Sequence, residues 1–258
     1  MNDASNADTA SWVATDANIG TLTLSMSGTV LATVTLAGDY TGDTFFTFKG
    51  IVSVNDALIP CFAEGTRILT PDGERRVETL REGDLVTTAG PSGARAIRWL
   101  GYRTVRREGH PRPNDIMPIR IQAGAFSDGI PARDLLLSPD HAVFAEGVLI
   151  PVKHLVNGTT IRQTPVDVVT YWHVELDQHD IVLAEGLTTE SYLDTGDRAS
   201  FANGGSAVAM HPVFNGLTWD AQGCAELVVT GPILDRVRAG LQPPSGHARR
   251  RTDRLIRA

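Results

Sequence analysis

Cysteine is scarce in this chain. Cys61 and Cys224 are the two cysteines among 258 residues, which excludes a disulfide-framework scaffold. No apolar run approaches the ~18 residues that a membrane-crossing helix needs, so no membrane span is expected. The N-terminus, Met-Asn-Asp-Ala-Ser-Asn, has neither a basic region nor an apolar stretch, so no signal peptide is read there. The expectation is a chain that stays in the cytoplasm or leaves by a route that needs no cleaved N-terminal signal. Net positive charge is absent too. The formal net charge is −7, which gives no case for a nucleic-acid partner. Charge is uneven along the chain: residues 1–60 carry six Asp and one Lys, and residues 243–258 carry five Arg and one Asp. Both ends read as solvated segments. The 7 His and 2 Cys lack zinc-site spacing. Cys61, His173 and His179 offer at most adventitious zinc ligation, so no metal and no cofactor is expected.

Glycine and proline are plentiful instead, with 25 Gly and 14 Pro beside 42% hydrophobic residues, the balance of a turn-rich globular protein. Residues 20–55 alternate apolar residues with Thr, Ser and Gly, as in Thr-Leu-Thr-Leu-Ser-Met-Ser-Gly, and predict a few antiparallel strands. Residues 1–18 read as flexible. Residues 61–195 are denser in apolar residues and punctuated by Pro71-Asp72-Gly73, Pro91-Ser92-Gly93 and Asn157-Gly158, the signals of further strands and turns. A short helix is predicted over Arg76–Arg81, followed by a strand at Leu85-Val86-Thr87-Thr88. An echo runs through this block: Phe62-Ala-Glu-Gly65 returns as Phe144-Ala-Glu-Gly147, and Ala184-Glu-Gly186 follows a similar strand. It reads either as a reused hairpin turn or as a duplicated β unit. Residues 196–224 are loosely patterned, and Cys224 reads as a small buried residue. Pro232 at a first turn, with Ile233, Val237 and Leu241 spaced by four, predicts a short amphipathic helix. Beyond Pro243-Pro244 the tail reads as disordered.

Chemistry is concentrated at two places. Cys61 follows Pro60 and opens Cys-Phe-Ala-Glu-Gly-Thr-Arg-Ile-Leu-Thr. Leu-Ser-Pro-Asp-His, residues 137–141, follows downstream. A thiol is the best nucleophile available near neutral pH. It can reach the carbonyl of the preceding residue through a small ring, so covalent tethering supplies proximity. The reaction also needs a partner for the oxyanion and a proton for the departing amine. Ser138 and His141 supply a hydroxyl and an imidazole, and Pro139 between them enforces a tight turn in which both can face one amide. A bland reading stands beside this one, in which Ser138 starts a turn and His141 is a satisfied strand-edge histidine.

At residues 61–86, 137–144 and 170–186 the chain resembles the Hedgehog/intein, or Hint, family, most closely its bacterial branch. The first stretch, through Val-Glu-Thr-Leu-Arg-Glu-Gly-Asp-Leu-Val, is similar to the family's opening block. Ser138-Pro-Asp-His141 resembles its Thr-x-x-His block. Tyr171-Trp-His-Val-Glu-Leu with His179-Asp-Ile-Val-Leu-Ala-Glu-Gly186 resembles its late block. The resemblance implies an all-β, horseshoe-like fold with pseudo-twofold halves, here joined to a small N-terminal β segment and a short C-terminal helix. It implies an N–S acyl shift at Pro60–Cys61, with Cys61 as nucleophile and Ser138 and His141 activating the scissile amide. His173 and His179 become candidates for a second acid or base. The chain departs from inteins where His-Asn would stand, since Glu190 and Ser191 occupy those positions. No Asp matches the one used in sterol transfer by Hedgehog proteins.

The expected organisation is an N-terminal β-rich passenger over residues 1–60, a self-processing block over 61–195, and an accessory tail with a short helix over 196–258. The expected reaction is single-turnover cleavage before Cys61 without splicing. Its substrate would be the chain's own N-terminal segment, and water or a small external nucleophile would accept the acyl group. Two rivals are an inactive Hint-fold binding or structural module of a secreted or surface protein, and a trans-acting cysteine hydrolase built on Cys61 and His141.

Overall fold

The structure, a computed structural model, describes residues 9–16, 19–37, 44–48, 51–55, 59–90, 93–108, 113–194, 198, 201–204 and 221–242. Strands dominate these residues, as the alternating patterns predict. Thr9–Asp16 (β1), Ile19–Met26 (β2) and Thr29–Ala37 (β3) form an antiparallel sheet in the order β1-β2-β3. Thr44–Phe48 (β4) pairs with Ile51–Asn55 (β5). The expected flexibility of residues 1–18 is therefore corrected for residues 9–16. The cause is a cross-strand contact: the Trp12 ring lies over Gly20, where an added Cβ would sit 2.1 Å from it. A glycine there makes room for the indole, and Leu22 and Leu24 of β2 are buried.

Two six-stranded sheets form the body. The first contains Phe62–Ala63 (β6), Trp99–Arg106 (β11), Ile119–Ile121 (β12), Leu135–Leu137 (β13), Ile161–Gln163 (β16) and Val168–Glu175 (β17). Its order is β11-β17-β6-β13-β12-β16. The second contains Arg67–Thr70 (β7), Gly73–Arg76 (β8), Ala142–Ala145 (β14), Val148–Pro151 (β15), Ile181–Ala184 (β18) and Leu187–Glu190 (β19), in the order β15-β14-β19-β18-β7-β8. A short ribbon of Leu85–Thr87 (β9) and Ala94–Ala96 (β10) completes the block. Phe62, Ile119 and Leu137 of the first sheet share one core with Ile68, Val143 and Val182 of the second. Burial of such aliphatic and aromatic side chains is the main stabilising term, roughly 1.5–3 kcal/mol for each that is fully buried.

The echoed tripeptides resolve unequally. Glu146 and Gly147, with φ of 49° and 83°, turn β14 into β15, and Glu185 and Gly186, with φ of 50° and 80°, turn β18 into β19. Two consecutive positive φ values belong to the hairpin turn whose twist matches its flanking strands. Glu64-Gly65 is different, since only Gly65 has positive φ, at 90°. The predicted helix over Arg76–Arg81 contracts to one 3-10 turn, Val77–Thr79, with Val77 buried.

The C-terminal helix is present as Pro232–Gly240 (α2), with Pro at its start; a four-residue helix, Pro113–Ile116 (α1), lies earlier in the chain. Leu234 and Val237 of α2 are buried in the main core, with Ile233 and Leu241 packed against it. The Val228 N–H donates to the Leu149 carbonyl at 2.8 Å, and the Gln242 N–H to Ala125 at 2.8 Å. Residues 221–242 thus share the core of the body. The region after residue 243, read as disordered, lies outside the described residues. Among the described residues no helix is long and apolar enough to cross a membrane.

Candidate active site

Strand register builds the site around Cys61. The short β6 lies between β13 and β17, with Phe62 paired to Leu137 on one side and to Trp172 on the other. Both pairings are antiparallel, so one step back from Phe62 to Cys61 is one step forward to Ser138 and to His173. Residues 77 and 112 positions away are thereby set beside the thiol as cross-strand neighbours. The Ser138 N–H donates to the Cys61 carbonyl at 2.9 Å. The Cys61 N–H, which is the nitrogen of the Pro60–Cys61 peptide, donates to Ser138 Oγ at 2.7 Å. Ser138 Oγ in turn donates to the Ile59 carbonyl at 2.8 Å. One buried hydroxyl therefore clamps the chain on both sides of Pro60. The turn that Pro139 enforces closes with the His141 N–H donating to the Ser138 carbonyl at 3.1 Å, which carries His141 back toward the same strand.

The thiol is enclosed. Cys61 is 0% exposed and packs with Ile59, Tyr171, Tyr192 and Phe201. His141 and His173 are also 0% exposed, with ring centroids 5.0 Å apart and both rings against Phe62. His173 is thus a buried residue. None of the four ring nitrogens closes a hydrogen bond. Burial lowers the His141 pKa to about 3, opposed weakly by the Cys61 and Glu190 backbone. Burial, with the charges of His141 and His179, also drives His173 well below its ordinary value, and the Glu190 and Pro60 backbone opposes this. Pro60 has no N–H, so the group that would favour a charged His173 is the Pro60 carbonyl. Both imidazoles rest neutral at pH 7. The Tyr171 hydroxyl donates to the Ile116 carbonyl at 2.7 Å, and burial raises its pKa, with a further contribution from Cys61.

The sequence profile of the Hint domain family matches residues 60–196. The chain belongs to the Hint domain family. Membership places it among self-processing, intein-like domains in general. No curated protein matches the chain significantly in sequence. Solved structures similar to part of it include the gp41-1 intein, 11% identical, covering 50% of this chain and 97% of its own, with a TM-score of 0.36. A bacterial intein-like domain from Clostridium thermocellum is 14% identical, with coverages of 51% and 98% and a TM-score of 0.38. The Msm DnaB1 intein splicing domain bound with zinc is 17% identical, with coverages of 49% and 98% and a TM-score of 0.36.

His179 stands apart from the Hint thiol. Its Nδ1 accepts the Cys224 N–H at 3.0 Å, and its Nε2 lies 3.5 Å from Glu190 Oε2. Burial opposes a charged His179, but the Cys224 side chain and Glu190 outweigh it and raise its pKa to about 9. The Cys224 N–H bond fits the neutral ring, whose proton then faces Glu190. A pKa of about 9 instead puts a second proton on the ring at pH 7, which Nδ1 can hold only by giving up the Cys224 N–H. Glu190 is 1% exposed and its other oxygen accepts the Ala142 N–H at 2.6 Å. Burial raises the Glu190 pKa, with His179 and the Ala142 N–H opposing. Ser191 Oγ accepts the Asp180 N–H at 2.9 Å. Cys224 is exposed, which corrects the expectation of a buried residue. Sequence reasoning treated Glu190 and Ser191 only as replacements for His-Asn and so missed their contacts. The usable signal was a Glu ending an apolar-flanked strand, where a buried carboxylate requires partners.

Proposed function

We propose that this Hint domain cleaves its own chain between Pro60 and Cys61 by an N–S acyl shift, without splicing. The observation that carries the reading is the Ser138 hydroxyl, which holds the scissile N–H at 2.7 Å in a buried site shared with the His141 and His173 rings. The resting state of His141 orders the steps. A neutral imidazole keeps one ring nitrogen free to accept a proton, so His141 first takes the Cys61 thiol proton. The Cys61 thiolate attacks the Pro60 carbonyl carbon, and the new C–S bond puts charge on the carbonyl oxygen. In this reading His173 stabilises that charge. Protonated His141 then returns its proton to the Cys61 nitrogen, and the C–N bond breaks. Residues 1–60 are left as a thioester on Cys61, and the Cys61 amine is free. Water or a small nucleophile resolves the thioester. His179 enters indirectly, through Glu190, whose carboxylate it faces at 3.5 Å and which also accepts the Ala142 N–H next to His141.

A trans-acting hydrolase fits less well. Cys61 is fully buried, and the chain's own Pro60 carbonyl occupies the position of an incoming substrate. The test is intact-mass measurement of the chain incubated with hydroxylamine or dithiothreitol. The expected products are residues 1–60, capped by the nucleophile, and a fragment that begins at Cys61. The Cys61→Ala chain should give neither. A parent chain that stays intact over days with either nucleophile would refute the reading and favour the inactive binding module.

A further inference from the structure

Given self-cleavage before Cys61, on which this rests, we infer that Glu190 is a positioning residue for the reaction: its buried carboxylate fixes the His141 ring at the Cys61 site. The imidazole has to be aimed from behind. Neither of its ring nitrogens makes a hydrogen bond. Its direction therefore follows from its backbone and from packing on the Phe62 and His173 rings, with centroids 4.3 and 5.0 Å away. Three hydrogen bonds to main-chain groups flank it. The His141 N–H donates to the Ser138 carbonyl at 3.1 Å, and the His141 carbonyl accepts the Val152 N–H at 2.9 Å. A side chain supplies the third. β14 and β19 pair antiparallel through Val143 and Thr189, which sets Ala142 opposite Glu190. There Glu190 Oε1 accepts the Ala142 N–H at 2.6 Å. A hydrogen bond to an ionised carboxylate is stronger than one between neutral groups, and this one acts a single residue from the imidazole.

The carboxylate is itself held in place. Glu190 is 1% exposed, and a buried carboxylate requires partners. Its backbone pairs with Ile181. The next residue locks that pairing: the Ser191 N–H donates to the Asp180 carbonyl at 2.8 Å, and Ser191 Oγ accepts the Asp180 N–H at 2.9 Å. Glu190 Oε2 faces His179 Nε2 at 3.5 Å, with both side chains buried. Because His179 Nδ1 accepts the Cys224 N–H at 3.0 Å, the proton of the neutral ring sits on Nε2 and points at Glu190. A second proton, on Nδ1, leaves that Nε2–H where it is. Cys224 belongs to a segment beyond the family match at residues 60–196. That segment is tied to β15 by the Leu149 N–H donating to the Glu226 carbonyl and the Val228 N–H donating to the Leu149 carbonyl, both at 2.8 Å. Support for His141 thus runs from the C-terminal segment through His179 and Glu190.

The test compares Glu190→Ala with Glu190→Gln in the full chain. Glutamine keeps a carbonyl oxygen for the Ala142 N–H, and alanine does not. Cleavage is followed by fragment mass with hydroxylamine. Glu190→Ala should slow it by about 10- to 10²-fold, the cost of displacing a reacting group by roughly 1 Å, and Glu190→Gln should recover most of that loss. The second measurement is NMR of the Cys61→Ala chain, in which cleavage cannot intervene. Glu190→Ala should move the His141 ring signals and leave in place the methyl signals of Ile121 and Ile161, buried on the far side of the first sheet. A general loosening of the core would move both.

Three results would each overturn the inference alone: a folded Glu190→Ala chain that cleaves at the parent rate, a folded Glu190→Gln chain as slow as Glu190→Ala, or His141 signals that Glu190→Ala does not move. A parent chain that never cleaves overturns the self-cleavage reading itself, and the role of Glu190 falls with it. Should circular dichroism show Glu190→Ala unfolded, Glu190→Asp takes its place in both measurements with the same results expected, since it keeps the charge but is one CH₂ shorter and withdraws from Ala142.

Discussion

Ser138→Ala is the perturbation with the most direct structural consequence. The hydroxyl is buried and satisfies two main-chain groups at once, accepting from Cys61 at 2.7 Å and donating to Ile59 at 2.8 Å. Cys61 and Ile59 are themselves buried, at 0% and 1% exposure, so alanine strands one donor and one acceptor away from solvent. Each stranded group costs about 1–3 kcal/mol. Allowing for water entering part of the vacated space, the expected loss is about 2–4 kcal/mol, a large share of the ~5–15 kcal/mol that holds a domain together. The measurement is urea unfolding in the Cys61→Ala background, where cleavage cannot intervene. The midpoint should fall by about 1 M with an unchanged slope. Ser138→Thr keeps the hydroxyl and should recover most of the loss. In the chain with Cys61 intact, Ser138→Ala should also slow cleavage under conditions where both chains are folded, because the scissile N–H is no longer held. A midpoint within about 0.2 M of the parent would refute the argument, since it would mean that the two hydrogen bonds contribute nothing net.

His141→Ala should slow cleavage by about 10²–10⁴-fold, the usual share of one acid–base group; cleavage at the parent rate, measured by fragment mass against time, would move that role to His173. Acid should destabilise the fold through His141. Its pKa falls from an ordinary 6.5 to about 3 in the folded chain, so its contribution is complete above pH 6.5 and is lost as pH falls toward 3. At pH 5 this amounts to ~2 kcal/mol. His141→Gln should therefore gain about that much relative to the parent between pH 7.5 and pH 5 in paired urea titrations, and an unchanged difference would count against a buried neutral imidazole. Splicing should be absent. Neither a Glu190 carboxylate nor a Ser191 hydroxyl can form a succinimide, so residues 196–258 should stay attached to the Hint block in every product. Detection of residues 1–60 ligated to any later segment, or of a free piece starting near residue 192, would sink that claim.

Much of this architecture was legible in the sequence because the signals are local. Period-two alternation in residues 20–55 and 61–195 specifies strands, since successive side chains of an extended chain face opposite ways. Glu-Gly pairs mark hairpins because glycine accepts positive φ without strain. Pro232 and the apolar spacing after it specify α2. Cys61 next to its own scissile carbonyl, and the Ser138-Pro-Asp-His141 turn, are chemistry written in a handful of consecutive residues. Among the local elements, α1 was not anticipated and the helix at Arg76–Arg81 was overextended, while β1 was missed because the contact that fixes it is a Trp12 ring resting on a glycine in the next strand.

The assembly of the site belongs to the tertiary structure. Nothing in the sequence states that Phe62 pairs with Leu137 on one edge and Trp172 on the other, yet those two registers set Ser138 and His173 beside Cys61. Burial likewise decides protonation. The same side chain rests neutral as His141, where no carboxylate faces it, and gains a proton readily as His179, where Cys224 and Glu190 flank it. The physical reason is that strand formation depends on neighbours in the chain, whereas pairing, desolvation and charge depend on neighbours in space. In this chain those spatial neighbours lie 77 residues apart at Cys61 and Ser138, and 45 residues apart at His179 and Cys224.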